Sequence, residues 1–436
     1  MNQRNNIYKI LYKWNKSSFF IDDLLSKNDV SDFSYRIIKG VVENKLFLDF
    51  IIKKYLNRNI SPETFLVLEI ALYELIYNES TKEYATVNEA VNLAKEKNEK
   101  DKNLVNAVLR NFIRDDKKVK LPDNRKKRLS VKYSYPVELI DIFLKSYSLG
   151  EVEEIFKYFQ KQNYIDLRIN TNLISRKKYI HHLESEKIDF DFEESLFYHI
   201  RIKSQKKVSE LPGYKKGWFY VQDKAAQIIS QLVNPIRNDL LDVGSAPGGK
   251  ITYFSQLNSG KFELIAVESS KRRLKRMKEN IARLKSENIK IVNQNFLEYQ
   301  PGRKFDLIFL DPPCSGLGVI GKKADIKYRI NKNDINSLVD LQTKLLNKAS
   351  KILSKEGKII YSTCTLNKSE NENIIEEFLK KNKKFKQVDI KNKKYLKKCL
   401  NNDTLKEQKI IKIYPPSEKM DGMFACVLKK EGNDGF

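Results

Sequence analysis

The chain has 436 residues, 41% of them hydrophobic and 11% aromatic. That is enough apolar material for two or three buried cores, and it excludes a disordered chain. Lysine and arginine outnumber acids 82 to 56, a formal charge of +26; an AT-rich gene explains part of it, and the rest favours polyanions such as RNA, DNA or anionic lipid.

The first ~115 residues carry helical periodicity and caps, with no strand pattern between them. MNQRNNIYKILYKW lacks the apolar core and small-residue cleavage site of a secretory signal. Ser61-Pro62-Glu63 predicts a helix start: a capping hydroxyl, proline at the first helical position, then an acid. The greasiest run, Phe65 to Tyr77, is broken by Glu69 and Glu74, so no membrane span is expected. Thr86 and Glu89 have capping-box spacing and predict a second helix start. Leu104, Val108 and Phe112 mark another apolar face. A small helical bundle over 1–125 is expected, followed by a charged edge at Asp115 to Arg128.

From 126 to 234 a linker and a mixed α+β region are expected, with strand-like Tyr164 to Ile169 and a β segment at Gly217 to Gln222 opening a helix at Asp223. From 235 to 436 strands and helices alternate: Leu240 to Val243, Leu264 to Val267, Ile289 to Val292, Phe305 to Leu310 and Lys358 to Tyr361, with a helix through Leu338 and Leu353. This pattern predicts a doubly wound, largely parallel sheet with ligands beyond its carboxyl edge. The basic tract Lys380 to Lys398 is either a solvated face or an RNA groove.

The chemistry-bearing residues all follow strands. Gly244-Ser245-Ala246-Pro247-Gly248-Gly249-Lys250 is a turn whose glycines admit a ligand close to backbone, at a helix start with unbonded N–H groups. Glu268 closes the next strand, where an acid can accept from ribose hydroxyls. Together they predict an adenosine-containing cofactor; the turn is not G-x-G-x-x-G, which argues against a dinucleotide. Asp311-Pro312-Pro313-Cys314-Ser315-Gly316 follows the fourth strand and Ser362-Thr363-Cys364-Thr365 the fifth. The four cysteines, Cys314, Cys364, Cys399 and Cys426, form no CxxC pair and have no histidine nearby, so neither a metal site nor a disulfide framework is expected, and free thiols fit a reducing cytoplasm. Two thiols and a carboxyl at neighbouring strand mouths suit covalent catalysis on a weakly nucleophilic ring carbon: one thiolate adds, the acid shares a proton, and a second group assists release. The residues alone do not distinguish the attacking cysteine from its partner.

The strings VGSAPGGK, DPPCSGLG and STCTL, followed by Glu370-Asn371-Glu372, resemble motifs of the two-cysteine RNA cytosine-C5 methyltransferases, and within them the RsmB (Sun, Fmu) group acting on small-subunit ribosomal RNA. The helical N-terminus, with VNAVLRNFIR, is similar to that group's NusB-like domain. Leu167-Arg168-Ile169-Asn170, Gly217-Trp218 through Gln222-Asp223, and Asp421-Gly422-Met423-Phe424 resemble its later signatures. The resemblance implies a Rossmann-like S-adenosyl-L-methionine-dependent methyltransferase domain, preceded by an all-α NusB-like domain and a small mixed α+β RNA-binding region. It implies methylation of carbon 5 of a cytosine in 16S ribosomal RNA, on the pattern of cytosine 967. It assigns Cys364 as nucleophile and Cys314 to product release, places Asp311 and Lys250 near the base, and lines the cofactor site with Gly244, Ser245, Ala246, Pro247, Gly248, Gly249, Lys250, Glu268, Asn295 and Asp311. Asn295 stands where the family usually has aspartate, and Glu268 replaces a common aspartate. A cytoplasmic monomer with a small-subunit RNA partner, no metal and no membrane is expected. Two rival readings stay open: a NusB-like ribosome-assembly factor that keeps the cofactor pocket without activity, and methylation of another RNA or a protein.

Overall fold

Helix Pro62–Tyr77 begins as its sequence dictates, with Ser61 accepting from the Thr64 backbone N–H and Pro62 in the first turn. The computed structural model describes residues 3–78, 81–162, 164–203, 207–234, 239–259, 261–390, 394–407 and 409–431. The chain divides into two units, one drawn from residues up to Gln160 together with Ile320–Asn331, the other from Lys161–Val319 and from Lys332 onward.

In the first unit Pro62–Tyr77 is the central helix, buried nearly all round. Two of its three acids, Glu69 and Glu74, are satisfied inside the bundle. Arg4 donates to both oxygens of Glu74, at 3.0 and 2.7 Å, and Lys45 pairs with Glu69. Burial nonetheless pushes the Glu69 carboxyl up to about 8, against the pull of Lys45. Ile7, Leu11, Ile38, Val105 and Phe112 from three other helices close the core around its Leu68. The helix expected to open at Thr86 instead spans Glu83–Lys97, and Thr86 lies buried within it. Positions i and i+3 recur along every helix turn, so capping-box spacing alone does not fix a start. Helices Arg125–Tyr133, Val137–Phe143 and Leu149–Gln160 belong to this unit.

The excursion 320–331 also belongs to it. Its short turn Ala324–Tyr328 is buried: Asp325 accepts from the Ile21 N–H at 2.6 Å, and the Lys327 ammonium donates to the Glu43 carbonyl at 2.7 Å. Burial pulls the Lys327 amine down to about 7, only partly offset by Glu43.

The second unit holds two sheets. The smaller is antiparallel, order β2-β3-β1-β4, from β1 (Ile165–Ile169), β2 (Phe190–Asp191), β3 (His199–Ile202) and β4 (Phe219–Val221). Asp223 then caps the helix Lys224–Ser230, accepting from the Ala225 N–H at 2.8 Å. The larger sheet contains β5 (Leu240–Val243), β6 (Leu264–Val267), β7 (Ile289–Val292), β8 (Phe305–Leu310), β9 (Leu353–Thr363), β10 (Phe385–Gln387), β11 (Ile410–Lys412) and β12 (Phe424–Lys430). Its order is β10-β12-β9-β8-β5-β6-β7, with β11 paired to β12. β5 to β9 run parallel; β5 and β6 in the middle are buried along their whole length, as their short continuous apolar runs require, while the edge strand β7 is only partly covered.

Two boundaries differ from expectation. The fifth strand is eleven residues long, and Leu353 begins it rather than ending the preceding helix, Lys332–Ile352. Strands β10, β11 and β12 add antiparallel pairings that the alternating pattern did not announce. The basic tract expected over Lys380 to Lys398 spans a helix end, β10 and the helix Lys394–Cys399; residues 391–393 lie outside the described residues.

Candidate active site

The chain leaves β5 toward β6 and β7 on one side, then returns to place β8 on the other. The sheet therefore splits between β5 and β8, where loops turn apart and leave a crevice. The glycine turn follows β5, Asp311 follows β8 and Cys364 follows β9. The register is tight: the Asp311 N–H donates to the Val243 carbonyl at 3.0 Å, and Gly244 N–H to Val267 at 3.1 Å. Gly244 has φ +82°, and a Cβ there would stand 2.2 Å from the Asp311 carbonyl oxygen. Glycine is what allows the two loops to touch.

Between them lies a partly open cleft, lined by Tyr220, Gln222, Ala226, Asp242, Gly244 to Pro247, Gly249, Lys250 and Asp311. Asp242 at its floor is fully buried, with neither carboxylate oxygen bonded to protein among the described residues. Burial, helped by Asp311 and Glu268, pushes it up to about 7. A buried acid without a protein partner is a place prepared for a ligand's donor. Close-approaching backbone, an unpartnered acid and an aromatic wall fit an adenosine-type cofactor.

Seven of the ten expected cofactor residues and Tyr220 thus meet at the cleft, and the other three, Gly248, Glu268 and Asn295, lie outside its lining. Gly248, with φ +101°, is the cap from which helix Gly249–Asn258 starts. Glu268 is buried just past β6; it accepts from the Ser270 N–H at 2.9 Å and pairs with Arg273 at 3.2 Å. Asn295 is exposed, donating to Glu298 at 3.2 Å and accepting from the Leu297 N–H at 3.1 Å, so its amide is engaged in its own turn. Ser245 lines the cleft and donates to the Asp242 carbonyl at 2.7 Å.

A second cluster gathers Lys250, Asp311 and the two loop cysteines. The Lys250 ammonium donates to Asp311 at 2.6 Å. Burial opposes its charge, but Asp311 and, more weakly, Cys364 outweigh burial and hold the amine above its ordinary value. The Sγ atoms of Cys314 and Cys364, both half-buried, are 3.3 Å apart. The shared hydrogen bond with Cys364, then burial, then the negative charge of Cys364, Glu370 and Asp311 raise the Cys314 thiol well above the ordinary range. Cys399 and Cys426 are buried elsewhere in the cores. The Cys364 loop is locked by two glycines: Gly318 N–H donates to the Cys364 carbonyl at 3.0 Å, and Gly422 N–H to Gly318 at 2.8 Å. A Cβ on Gly318 would lie 1.9 Å from the Gly422 oxygen, which explains both glycines in their strings.

Four residues that support the cleft have no chemical role legible in sequence, although Arg168, Tyr220 and Gln222 fall within strings shared with the family: Tyr220, Gln222, Asp242 and Arg168. Arg168 on β1 is buried and donates to Gln222 at 2.7 Å, to the Gly249 carbonyl at 2.5 Å and to Thr252 at 2.9 Å. It ties the small sheet to the cofactor turn. Arg168→Leu leaves a buried carbonyl and amide without a charged donor, a cost of roughly 1–3 kcal/mol each. A lowered Tm and about tenfold weaker S-adenosylmethionine binding by calorimetry are expected; an unchanged dissociation constant would show that the turn holds itself.

A parallel five-strand core with its crevice beyond β5 and β8, a glycine turn, and a helical domain ahead of it define an S-adenosylmethionine-dependent methyltransferase of the Rossmann-like class. Comparison with known proteins narrows this. The family model for 16S rRNA methyltransferase RsmB/F matches residues 230–429, and that of the NusB family residues 1–114. The chain is 32% identical to probable ribosomal RNA small subunit methyltransferase B of Synechocystis sp., over 82% of this chain and 84% of the relative. It is 33% identical to ribosomal RNA small subunit methyltransferase B of Photorhabdus laumondii, over 84% and 81%. The crystal structure of PH0851 shares the fold, with a TM-score of 0.80, 22% identity and 94% of each chain covered. The chain belongs to the RsmB/F family of RNA methyltransferases. Its cofactor is S-adenosylmethionine.

Proposed function

We propose that this enzyme methylates carbon 5 of a cytosine in small-subunit ribosomal RNA, the equivalent of cytosine 967, through a covalent bond from Cys364 to carbon 6. The observation that carries this reading is the pair of thiols 3.3 Å apart beside the Lys250–Asp311 pair. The bound cofactor supplies an electrophilic methyl group. Cys364 thiolate adds to carbon 6, and Asp311, with Lys250 at hand as proton source, shares a proton with N3 so that carbon 5 gains enamine character. Once carbon 5 carries the methyl, its proton must leave, the N3 proton returns, and the carbon 6–sulfur bond breaks with its electron pair going to Cys364. Cys314, held as the thiol, gives its proton to that sulfur; the thiolate left on Cys314 takes the carbon 5 proton. The raised Cys314 thiol supports this division of labour, since only a thiolate attacks.

Radiolabelled S-adenosylmethionine with bare small-subunit RNA, or with assembled subunits, should yield 5-methylcytidine. None in either would sink the proposal.

An RNA surface is available beside the cleft. Helix Lys271–Arg283 buries Leu274 and Met277 and exposes Lys271, Arg272, Lys275, Arg276 and Lys278. Each phosphate contact on single-stranded RNA contributes about −0.7 to the salt slope. Lys275→Glu with Lys278→Glu should therefore weaken RNA binding and flatten that slope by about 1.4. An unaltered slope would mean that this face is merely solvated.

A further inference from the structure

Glu370 was visible in sequence only as part of the string Glu370-Asn371-Glu372, and the mechanism above gives it no part. Its carboxylate is fully buried and accepts from five donors. From the Cys314 loop come the Ser315 N–H at 2.8 Å and the Ser315 hydroxyl at 2.5 Å. From the Cys364 loop come the Thr365 hydroxyl at 3.3 Å and the Asn367 amide at 3.1 Å. Gln342, on helix Lys332–Ile352, adds a fifth at 3.1 Å and also donates to the Pro313 carbonyl at 2.8 Å. The Ser315 and Thr365 hydroxyls are themselves 2.7 Å apart. The residue following each cysteine is thus bonded to the same carboxylate. The neighbouring Asn371 clamps the other side, donating to the Thr365 carbonyl at 2.9 Å and accepting from Thr363 at 2.5 Å.

We infer that Glu370 is a positioning residue, a single carboxylate that sets the separation of the two reactive thiols through the residue after each of them. A carboxylate suits this because it is acceptor-only on both oxygens, and every group facing it can donate. An amide in its place turns an NH₂ toward donors on one side and forces a loop outward. A thiol pair loosened in this way loses its shared hydrogen bond, so Cys314 should titrate closer to an ordinary cysteine.

The inference rests on the two-cysteine chemistry proposed above, but its first readout needs no RNA. The pH profile of iodoacetamide alkylation at Cys314, followed by peptide mass spectrometry, is measured for the full-length protein, Glu370→Gln, Glu370→Ala and Ser315→Ala. Ser315→Ala keeps the Glu370 charge and removes the bridging hydroxyl, so it separates position from electrostatics and serves if Glu370→Ala does not fold. The expected result is a Cys314 midpoint lower by about one pH unit in Glu370→Ala and by a smaller step in Ser315→Ala, with S-adenosylmethionine affinity held within about twofold. Methyl transfer to RNA should fall by about 100-fold in Glu370→Ala, the usual effect of misplacing a reacting group by an ångström. A carboxylate that acts on Cys314 through its charge alone would shift the profile in Glu370→Ala and leave it unmoved in Ser315→Ala. A Ser315→Ala profile that coincides with the unsubstituted protein's overturns the inference, as does a folded Glu370→Ala with full transfer. If the unsubstituted protein makes no 5-methylcytidine, the functional reading fails while the alkylation profiles still decide the role of Glu370.

Discussion

Cys364→Ala should abolish methyl transfer, with a loss on the order of 10⁴-fold or more, because removing the nucleophile from a covalent mechanism leaves only binding and orientation to act. S-adenosylmethionine affinity should change little. Cys364 is absent from the lining of the cofactor cleft, and its loop is fixed by backbone bonds to Gly318 that alanine preserves. Calorimetric cofactor titration and a filter assay for labelled RNA separate the two effects. Residual transfer within tenfold of the unsubstituted enzyme would eliminate carbon 6 addition by Cys364. Loss of cofactor binding would instead mean that the substitution disturbs the site as a whole.

Cys314→Ala should give the opposite phenotype: the bond to RNA forms but does not resolve. Addition to carbon 6 and the methyl step require Cys364, Asp311 and Lys250, all retained. Expulsion requires a proton source 3.3 Å from the departing sulfur, which alanine lacks. The protein should therefore accumulate on the RNA as a slow-migrating band on a denaturing gel, dependent on added S-adenosylmethionine, and Cys364→Ala on top of Cys314→Ala should abolish it. Normal turnover by Cys314→Ala would reverse or void the assignment of the two cysteines.

What could be read from the sequence was local. The turn Gly244 to Lys250, the DPPC loop and the TC pair announce themselves because each lies within a few residues of the strand that aims it, and the structure brings all three to one edge of the sheet. The start at Ser61-Pro62 was legible for the same reason. Features that depend on distant pairing were not. Nothing in Arg168 indicates that it will reach Gly249, 81 positions away, or in Glu370 that it will hold Ser315, 55 positions away. The antiparallel strand β12 pairs with β9 across a separation that no periodicity encodes. Thr86 misled because spacing marks a helix start only when the backbone actually turns there.

The excursion 320–331 bears on how the protein is made. The first unit is incomplete until those residues exist, because Asp325 and Lys327 fill its interior. Translation at roughly 5–20 residues per second puts about 10–35 s between the synthesis of Gln160 and that of Asn331. During that interval the helical half lacks the partners that Asp325 and Lys327 give to the Ile21 N–H and the Glu43 carbonyl, while the strands of the other unit emerge. The half that comes first in the gene is thus not the half free to finish first. The two cannot be exchanged between relatives by a single recombination, since the chain passes between them three times.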